Sequence, residues 1–333
     1  MEKKRNCSID IFRYFCAVLI VVIHTSLFSD INTGLSDIFV NILPRIAVPF
    51  FFAVSGYYYI GKLEQGKKAF APYIKKLVIT YTVWSVIYFV WDFILWGHKS
   101  IKGFAASSLR TFFLDGSHYH LWFMVGLIIS VCVVTLFYKL KMQKLLIPIG
   151  IILAVFGCLS CAYSVIGDKI PLFNNLLNWQ YFLMVRRYLF TGLPFFILGL
   201  AVRKLQVRVN SLSIKSHWAI VACAVAVWIV EIILVRKLNL ENGVTVSAGL
   251  FPLTGAVLLL LFRCPAANQS KAASVCKPLS GFTYYSHALV IEIIAKTVDL
   301  PTVPTFIITV AATAVLGLAI YKLNNKYLNI LAN

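Results

Sequence analysis

This chain is poor in acid. Over 333 residues it carries 12 Asp and Glu against 31 Lys and Arg, a formal charge of +19, and charged residues of both signs reach only 13%. Soluble domains carry about twice that share of charge. So little charge cannot dress a water-facing surface, which excludes the two or three soluble domains that length alone would permit. The chain also lacks any polar stretch of domain size, any low-complexity tract and any clear repeat. No A-x-A-like cleavage site follows the first apolar run, which is longer than a signal-peptide core, so that run is read as a retained span. Metal-binding spacing is missing as well. The eight cysteines (Cys7, Cys16, Cys132, Cys158, Cys161, Cys223, Cys264 and Cys276) fall mostly inside apolar runs, and the C-x-x-C of Cys158 and Cys161 has no second Cys/His pair. They are read as small packing residues rather than as metal or redox ligands.

What is present is apolar. Hydrophobic residues make up 60% of the chain and the mean hydropathy is +0.84, against roughly 45–50% apolar in soluble domains. Lipid is therefore the expected solvent. A helix crossing a bilayer needs about 20 mainly apolar residues. Ten segments qualify, at 8–28, 44–61, 77–96, 121–138, 145–164, 181–202, 216–235, 245–262, 280–298 and 304–321. The expected fold is all-α, a polytopic ten-helix bundle forming one integral membrane domain over 1–333. The basic residues cluster in short groups between apolar runs, which is the pattern of cytoplasmic loops and not of a nucleic-acid site. With the N-terminus inside, Lys3, Lys4, Arg5, Lys62, Lys67, Lys68, Lys75, Lys76, Lys139, Lys141, Lys144, Arg203, Lys204, Arg208, Lys215, Arg263, Lys271, Lys277, Lys322 and Lys326 are cytoplasmic, 20 of the 31 basic residues. That asymmetry sets the orientation and places both termini in the cytoplasm.

The first span reads "IDIFRYFCAVLIVVIHTS" and carries ionisable groups at both ends. Arg13 and His24 are 11 residues apart, hence within about 20° of one helix face and about 16 Å apart along the axis. Asp10 lies three residues before Arg13 and can pair with it. Ionisable groups inside a membrane cost several kcal/mol and normally face a cavity. The arrangement suits a long anionic ligand entering from the cytoplasm, its phosphates at Arg13 and its reactive end at an imidazole that moves a proton near neutral pH. Coenzyme A has that form. Catalysis is assigned to His24 together with Asp10, and phosphate binding to Arg13.

Four segments carry a resemblance. The Arg13-x10-His24 spacing, "RIAVPFFFAVSGYYY" (45–59), "YHLWFM" (119–124) and "LSGFTYYSHALV" (279–290) resemble, in order, the signature segments of the membrane acyltransferase-3 family. "RIAVPFFFAVSGYY", "YHLWFM" and "PFFILGLAVRK" (194–204) look like the membrane half of the vancomycin-resistance serine racemases of the VanT type. The resemblance implies a multi-pass protein of the bacterial plasma membrane using acetyl-CoA or another acyl-CoA as donor and a small hydroxyl compound as acceptor. It equally implies a second activity, L-serine uptake feeding a cytoplasmic racemase domain, and the residues leave the two open. No racemase domain, and so no pyridoxal phosphate, is expected within these 333 residues. Where the family carries R-x-x-R at the start of its third helix, this chain reads "YIKKLVITY": Lys75 and Lys76 keep the charge, assigned here to the coenzyme, and Ile79 stands at the next basic position. Lysine is a point charge without the arginine fork.

Further polar residues are assigned to substrate. Arg45 begins the second span at its outer end, where it either snorkels or meets a carboxylate. Ser55 and Gly56 lie mid-span, where small residues mark close helix packing or a cavity wall. His120 and Trp122 hold the family's H-x-W positions, and two nearby histidines without an acid in step make a metal site unexpected. Arg186 and Arg187 open the sixth span, and Arg186 is assigned to an acceptor carboxylate. His287 belongs to the penultimate-span motif, while Glu292, about 140° further round the helix, faces elsewhere. Asp92, Glu231 and Lys296 are read as solvated span ends.

Overall fold

The computed structural model describes residues 6–95, 100–241, 243, 245–264, 271–323, 325 and 328–332. Lys3, Lys4, Arg5 and Lys326, which enter the orientation argument, lie outside the described residues. Among the described residues every regular element is helical. Eleven longer helices carry the fold: α1 Cys7–His24, α2 Ala47–Glu64, α3 Phe70–Leu95, α4 Ile101–Leu114, α5 Trp122–Lys139, α6 Leu146–Leu159, α7 Leu193–Val209, α8 Ile214–Lys237, α9 Leu250–Arg263, α10 Lys271–Thr297 and α11 Thr302–Leu323.

Among the described residues, seven helices are long and apolar enough to cross a membrane: α1, α3, α5, α8, α11, the stretch Thr33–Glu64 that ends in α2, and the stretch Phe182–Val209 that ends in α7. α6 and α9 are apolar but shorter, and α10, 27 residues long, carries polar groups along its length. Each of the ten expected segments falls on a helix, yet a count of ten crossings is not reached by length and apolar character. On α8, Trp218, Val227, Ile229, Val230 and Ile233 stand exposed, as do Ile307 and Val315 on α11. Large apolar faces of this kind are costly in water and natural in hydrocarbon.

The chain packs as two compact units. The first comprises 1–47, 82–84 and 261–333; the second comprises 48–81 and 85–260.

In the first unit α1 starts because Asn6 caps it, its side chain accepting the Ile9 N–H at 3.2 Å, with Asp10 in the first turn where the helix dipole favours an anion. Asn6 donates to the Leu261 carbonyl at 3.1 Å and Ser8 donates to that of Cys264, so the start of α1 lies beside the approach to α10. At the other end His24 reaches His287 of α10. The Phe28 N–H then donates to the Thr302 hydroxyl at 3.1 Å, just beyond α10. α1 and α10 therefore run in the same direction, as the first and ninth of alternating crossings must. α11 returns antiparallel to α10. A Cβ on Gly317 would stand 2.8 Å from Leu279, and the Thr283 and Thr313 hydroxyls lie 3.4 Å apart.

In the second unit α2 pairs in parallel with both α5 and α7. Phe52 stacks edge-on to Phe123 with centroids 4.6 Å apart, and one face further on Tyr59 hydrogen-bonds Thr135. Against α7, a Cβ on Gly56 would stand 2.0 Å from the Phe196 carbonyl oxygen, and one on Gly199 only 2.3 Å from the Tyr57 nitrogen. Gly56 thus serves close backbone approach, the packing use of small residues in membrane helices. α6 runs antiparallel to α7, touching it at Gly150 against Ile197 and at Gly157 against the Phe190 carbonyl.

Candidate functional site

The polar line expected on α1 is built within the first unit. Asp10 is buried, 4% exposed, and accepts from Arg13 Nη1 at 3.3 Å. Fourteen residues at the helical rise put Asp10 about 21 Å from His24. That corrects its place among the catalytic groups: Asp10 serves Arg13 and cannot touch chemistry at His24. The Arg13 side chain is 18% exposed, and a guanidinium offers five N–H donors of which this pair engages Nη1.

At the far end of α1, half-buried His24 stacks on His287, ring centroids 5.1 Å apart and planes 30° from parallel. His287 is fully buried. Its Nδ1 lies 2.7 Å from the Tyr284 carbonyl oxygen and 3.1 Å from that of Thr283. Carbonyls only accept, so Nδ1 carries the proton and Nε2 bears the lone pair. Serial one-turn contacts inside α10 thus set the tautomer, and parallel packing with α1 sets the neighbour. The sequence placed His24 and His287 at one site through separate motifs; the structure stacks them ring on ring.

The outer loop of this unit is held by Asp30, which accepts from both the hydroxyl and the N–H of Thr302, the latter at 2.9 Å. Those hydrogen bonds, the hydroxyl first, hold the Asp30 carboxyl below its usual value. Arg45 is spoken for locally. Its Nε donates to the Asn41 carbonyl at 3.0 Å and its Nη2 to the Asn41 side chain at 2.8 Å, while Asn41 donates to Asp37 at 3.1 Å. A π-helical segment, Asp37–Ile42, supplies this arrangement.

The second unit holds the remaining assigned residues. Lys75 and Lys76 are exposed near the start of α3, and Ile79 one turn on is exposed too. Ser55 is half-buried on α2. His120 is buried and its Nδ1 lies 3.2 Å from that of His118. Tyr88 stacks on His118 at 4.2 Å and meets His120 edge-on at 5.1 Å. Beside them the Ser117 hydroxyl donates to Tyr81 at 2.8 Å and shares a hydrogen bond with Ser85 at 2.6 Å. The H-x-W motif therefore sits in a knot of hydroxyls and imidazoles. The two arginines of the sixth span divide. The Arg187 guanidinium lies 5.6 Å from the Trp122 ring, whereas Arg186 lines a polar cavity of about 200 Å³ with Ser160, Ser164, Asp168 and Thr245. Both arginines sit on a second π-helical segment, Arg186–Gly192; such segments turn neighbouring side chains to different faces and recur at functional sites.

Glu231 is not a solvated span end. It accepts from the Tyr163 hydroxyl at 2.6 Å, from the Ala248 N–H at 2.7 Å and from the Gly249 N–H at 2.7 Å. The carboxylate caps the approach to α9 where backbone donors lack helical partners. Sequence reasoning missed this group because its partners lie 68 residues before and 17 residues after it. It also missed α4 and both π segments.

Comparison with known proteins adds the following. The family profile described as "Acyltransferase domain", of the acyltransferase-3 type, matches residues 6–322. Two curated proteins of Enterococcus faecalis, both named amino-acid racemase, are similar: one is 32% identical over 179 residues, 52% of this chain and 25% of that protein. The other is 31% identical over 203 residues, 60% of this chain and 28% of that protein. The matched stretch is thus about a quarter of each relative's length. No solved structure matches.

Proposed function

The chain belongs to the acyltransferase-3 family, and from that premise we propose that it transfers an acyl group from a cytoplasmic acyl-CoA to a hydroxyl acceptor at or beyond the outer face of a bacterial plasma membrane. The stacked His24–His287 pair carries the reading, with the Asp10–Arg13 ion pair at the other end of the same helix. Two ionisable groups on one rod, some 16 Å apart by helical rise, match a donor whose phosphates and thioester are separated by a long linear arm. Arg13 holds phosphate, with Asp10 fixing its guanidinium.

The chemistry balances without a further reactant. His24 removes the proton from the acceptor hydroxyl as its oxygen bonds to the thioester carbonyl carbon. The carbon–sulfur bond then breaks, and the coenzyme thiolate takes the proton back from His24. His287, its Nε2 lone pair set by the Nδ1 contacts, accepts a hydrogen bond that orients the acceptor or steadies the charged His24. The sequence resemblance to VanT-type proteins supports a setting in cell-wall chemistry and vancomycin resistance, and the relatives' name, amino-acid racemase, is compatible with it. The test is reconstituted full chain given labelled acetyl-CoA and L-serine as the hydroxyl acceptor. Ester formation lost in His24→Gln, with donor binding kept, supports the reading; undiminished transfer in that variant overturns it.

A second reading, L-serine passage toward a cytoplasmic racemase with no acyl transfer, is favoured by one observation. The cavity of about 200 Å³ at Arg186 offers a cation, the Asp168 carboxylate and three hydroxyls, the complement of a zwitterionic hydroxy amino acid. Uptake of labelled serine into proteoliposomes free of coenzyme, abolished in Arg186→Ala, separates the two.

A further inference from the structure

One apolar cavity takes no part in the chemistry above. It measures about 530 Å³ and lies in the second unit between α6, α7 and the start of α9. Its wall is apolar: Ile147, Ile151 and Ala154 along one face of α6, Ile197 and Ala201 along α7, and Phe251 of α9. The floor is the contact of Gly150 with Ile197, where a Cβ would stand 2.9 Å from the isoleucine Cγ2. Small residues open the space, since Ala154 and Ala201 stop short of filling the furrow that the two antiparallel helices leave between them. Only the outer end, at Tyr163, is polar.

Two features say what covers this furrow. The first is continuity with the bilayer-facing surface: Ile151 and Val155, which line the cavity, are 61% and 53% exposed. Within a multi-pass membrane protein such a face touches acyl chains. The second is shape. From Ile147 to Leu159 the furrow follows α6 for about 18 Å at the helical rise, so about 530 Å³ gives a mean cross-section of about 30 Å², an elongated space that admits one extended hydrocarbon chain. Water is excluded by the lining, and an empty apolar furrow forfeits dispersion contacts on every wall. α6 is also short, 14 residues, and a short span recruits or deforms the lipid beside it.

We infer that the α6–α7–α9 furrow is a binding site for a single acyl chain of a membrane phospholipid, lying along α6 with its glycerol end toward Tyr163. The site depends on the membrane placement of the chain alone and stands or falls apart from acyl transfer.

The test is photolabelling. The full chain is reconstituted in phospholipid vesicles containing a trace of phosphatidylcholine with a diazirine on one acyl chain, irradiated, and mapped by mass spectrometry. Adducts at Ile151, Ala154 and Ala201 severalfold above those at Ile229 and Ile233, exposed on α8, are expected. Ala154→Trp, which fills the furrow, removes the furrow adducts and leaves those on α8 unchanged; Ala201→Phe serves the same purpose should the first variant fold poorly. Furrow adducts no more frequent than those on α8, or adducts indifferent to both fillings, overturn the inference.

Discussion

Glu231 gives a prediction whose size can be worked from the structure. Glu231→Ala deletes three hydrogen bonds to a carboxylate at once: from the Tyr163 hydroxyl and from the Ala248 and Gly249 N–H groups. Bonds to charged groups contribute about 1.5–3 kcal/mol each. They do not add in full, because Ala248 is exposed and water replaces its partner, whereas Gly249 is buried and finds none. The expected loss is about 3–4 kcal/mol. Glu231→Gln keeps one acceptor oxygen but turns an amide NH₂ toward a backbone donor, so about 1–2 kcal/mol is lost. Tyr163→Phe loses one bond, about 1–2 kcal/mol, and in a double-mutant cycle with Glu231→Ala it costs little more. Thermal unfolding read by a thiol-reactive fluorophore suits the site, since Cys158 and Cys161 are buried beside it. At about 2–4 °C per kcal/mol for a unit of 150–250 residues, Glu231→Ala lowers the midpoint by about 6–16 °C. A Glu231→Ala midpoint equal to that of the wild type would refute the capping argument.

Three other outcomes are expected. Gly199→Val forces a Cβ to within 2.3 Å of the Tyr57 backbone nitrogen and 2.5 Å of the Ala53 carbonyl oxygen; overpacking of this kind costs at least about 1–3 kcal/mol, while Ser55→Ala, half-buried on the facing helix α2, stays within about 0.5 kcal/mol, both read by the same unfolding assay. His287→Phe removes Nε2 together with the Nδ1 donation to the Tyr284 and Thr283 carbonyls, so the unfolding midpoint falls by the equivalent of about 0.5–1.5 kcal/mol while ester formation from acetyl-CoA falls to background. Asp30 supplies a pH signature. Its folded pKa is lowered below 3.8, so the Thr302 clasp stabilises fully above that value and is lost as pH falls through the folded pKa; the unfolding difference between wild type and Asp30→Asn is present at neutral pH and vanishes in acid.

The membrane class and the helical segments were legible because a bilayer imposes period, length and composition on a chain at once. The parallel pairing of α1 with α10, and of α2 with α5 and α7, agrees with the parity of the expected crossings. Arg13 and Asp10 could be paired from a spacing of three. His24 and His287 could be placed at one site by motif, but their ring-on-ring geometry depends on the register of two helices 263 residues apart in sequence, which no local pattern encodes. Glu231 was misread for the same reason. Arg186 and Arg187, adjacent at the start of a π-helical segment, point about 100° apart as neighbours on a helix do, and which of them meets Trp122 and which the polar cavity is set by tertiary packing. Asp10 was grouped with His24 because charge was read by type; axial distance along one helix separates them.

The most direct test of the central claim is calorimetric titration of acetyl-CoA into the purified full chain. The account predicts saturable binding that is lost in Arg13→Ala and little changed in His24→Ala, since one end of α1 grips phosphate and the other moves a proton. No binding heat at millimolar acetyl-CoA, or equal binding by Arg13→Ala and wild type, contradicts it.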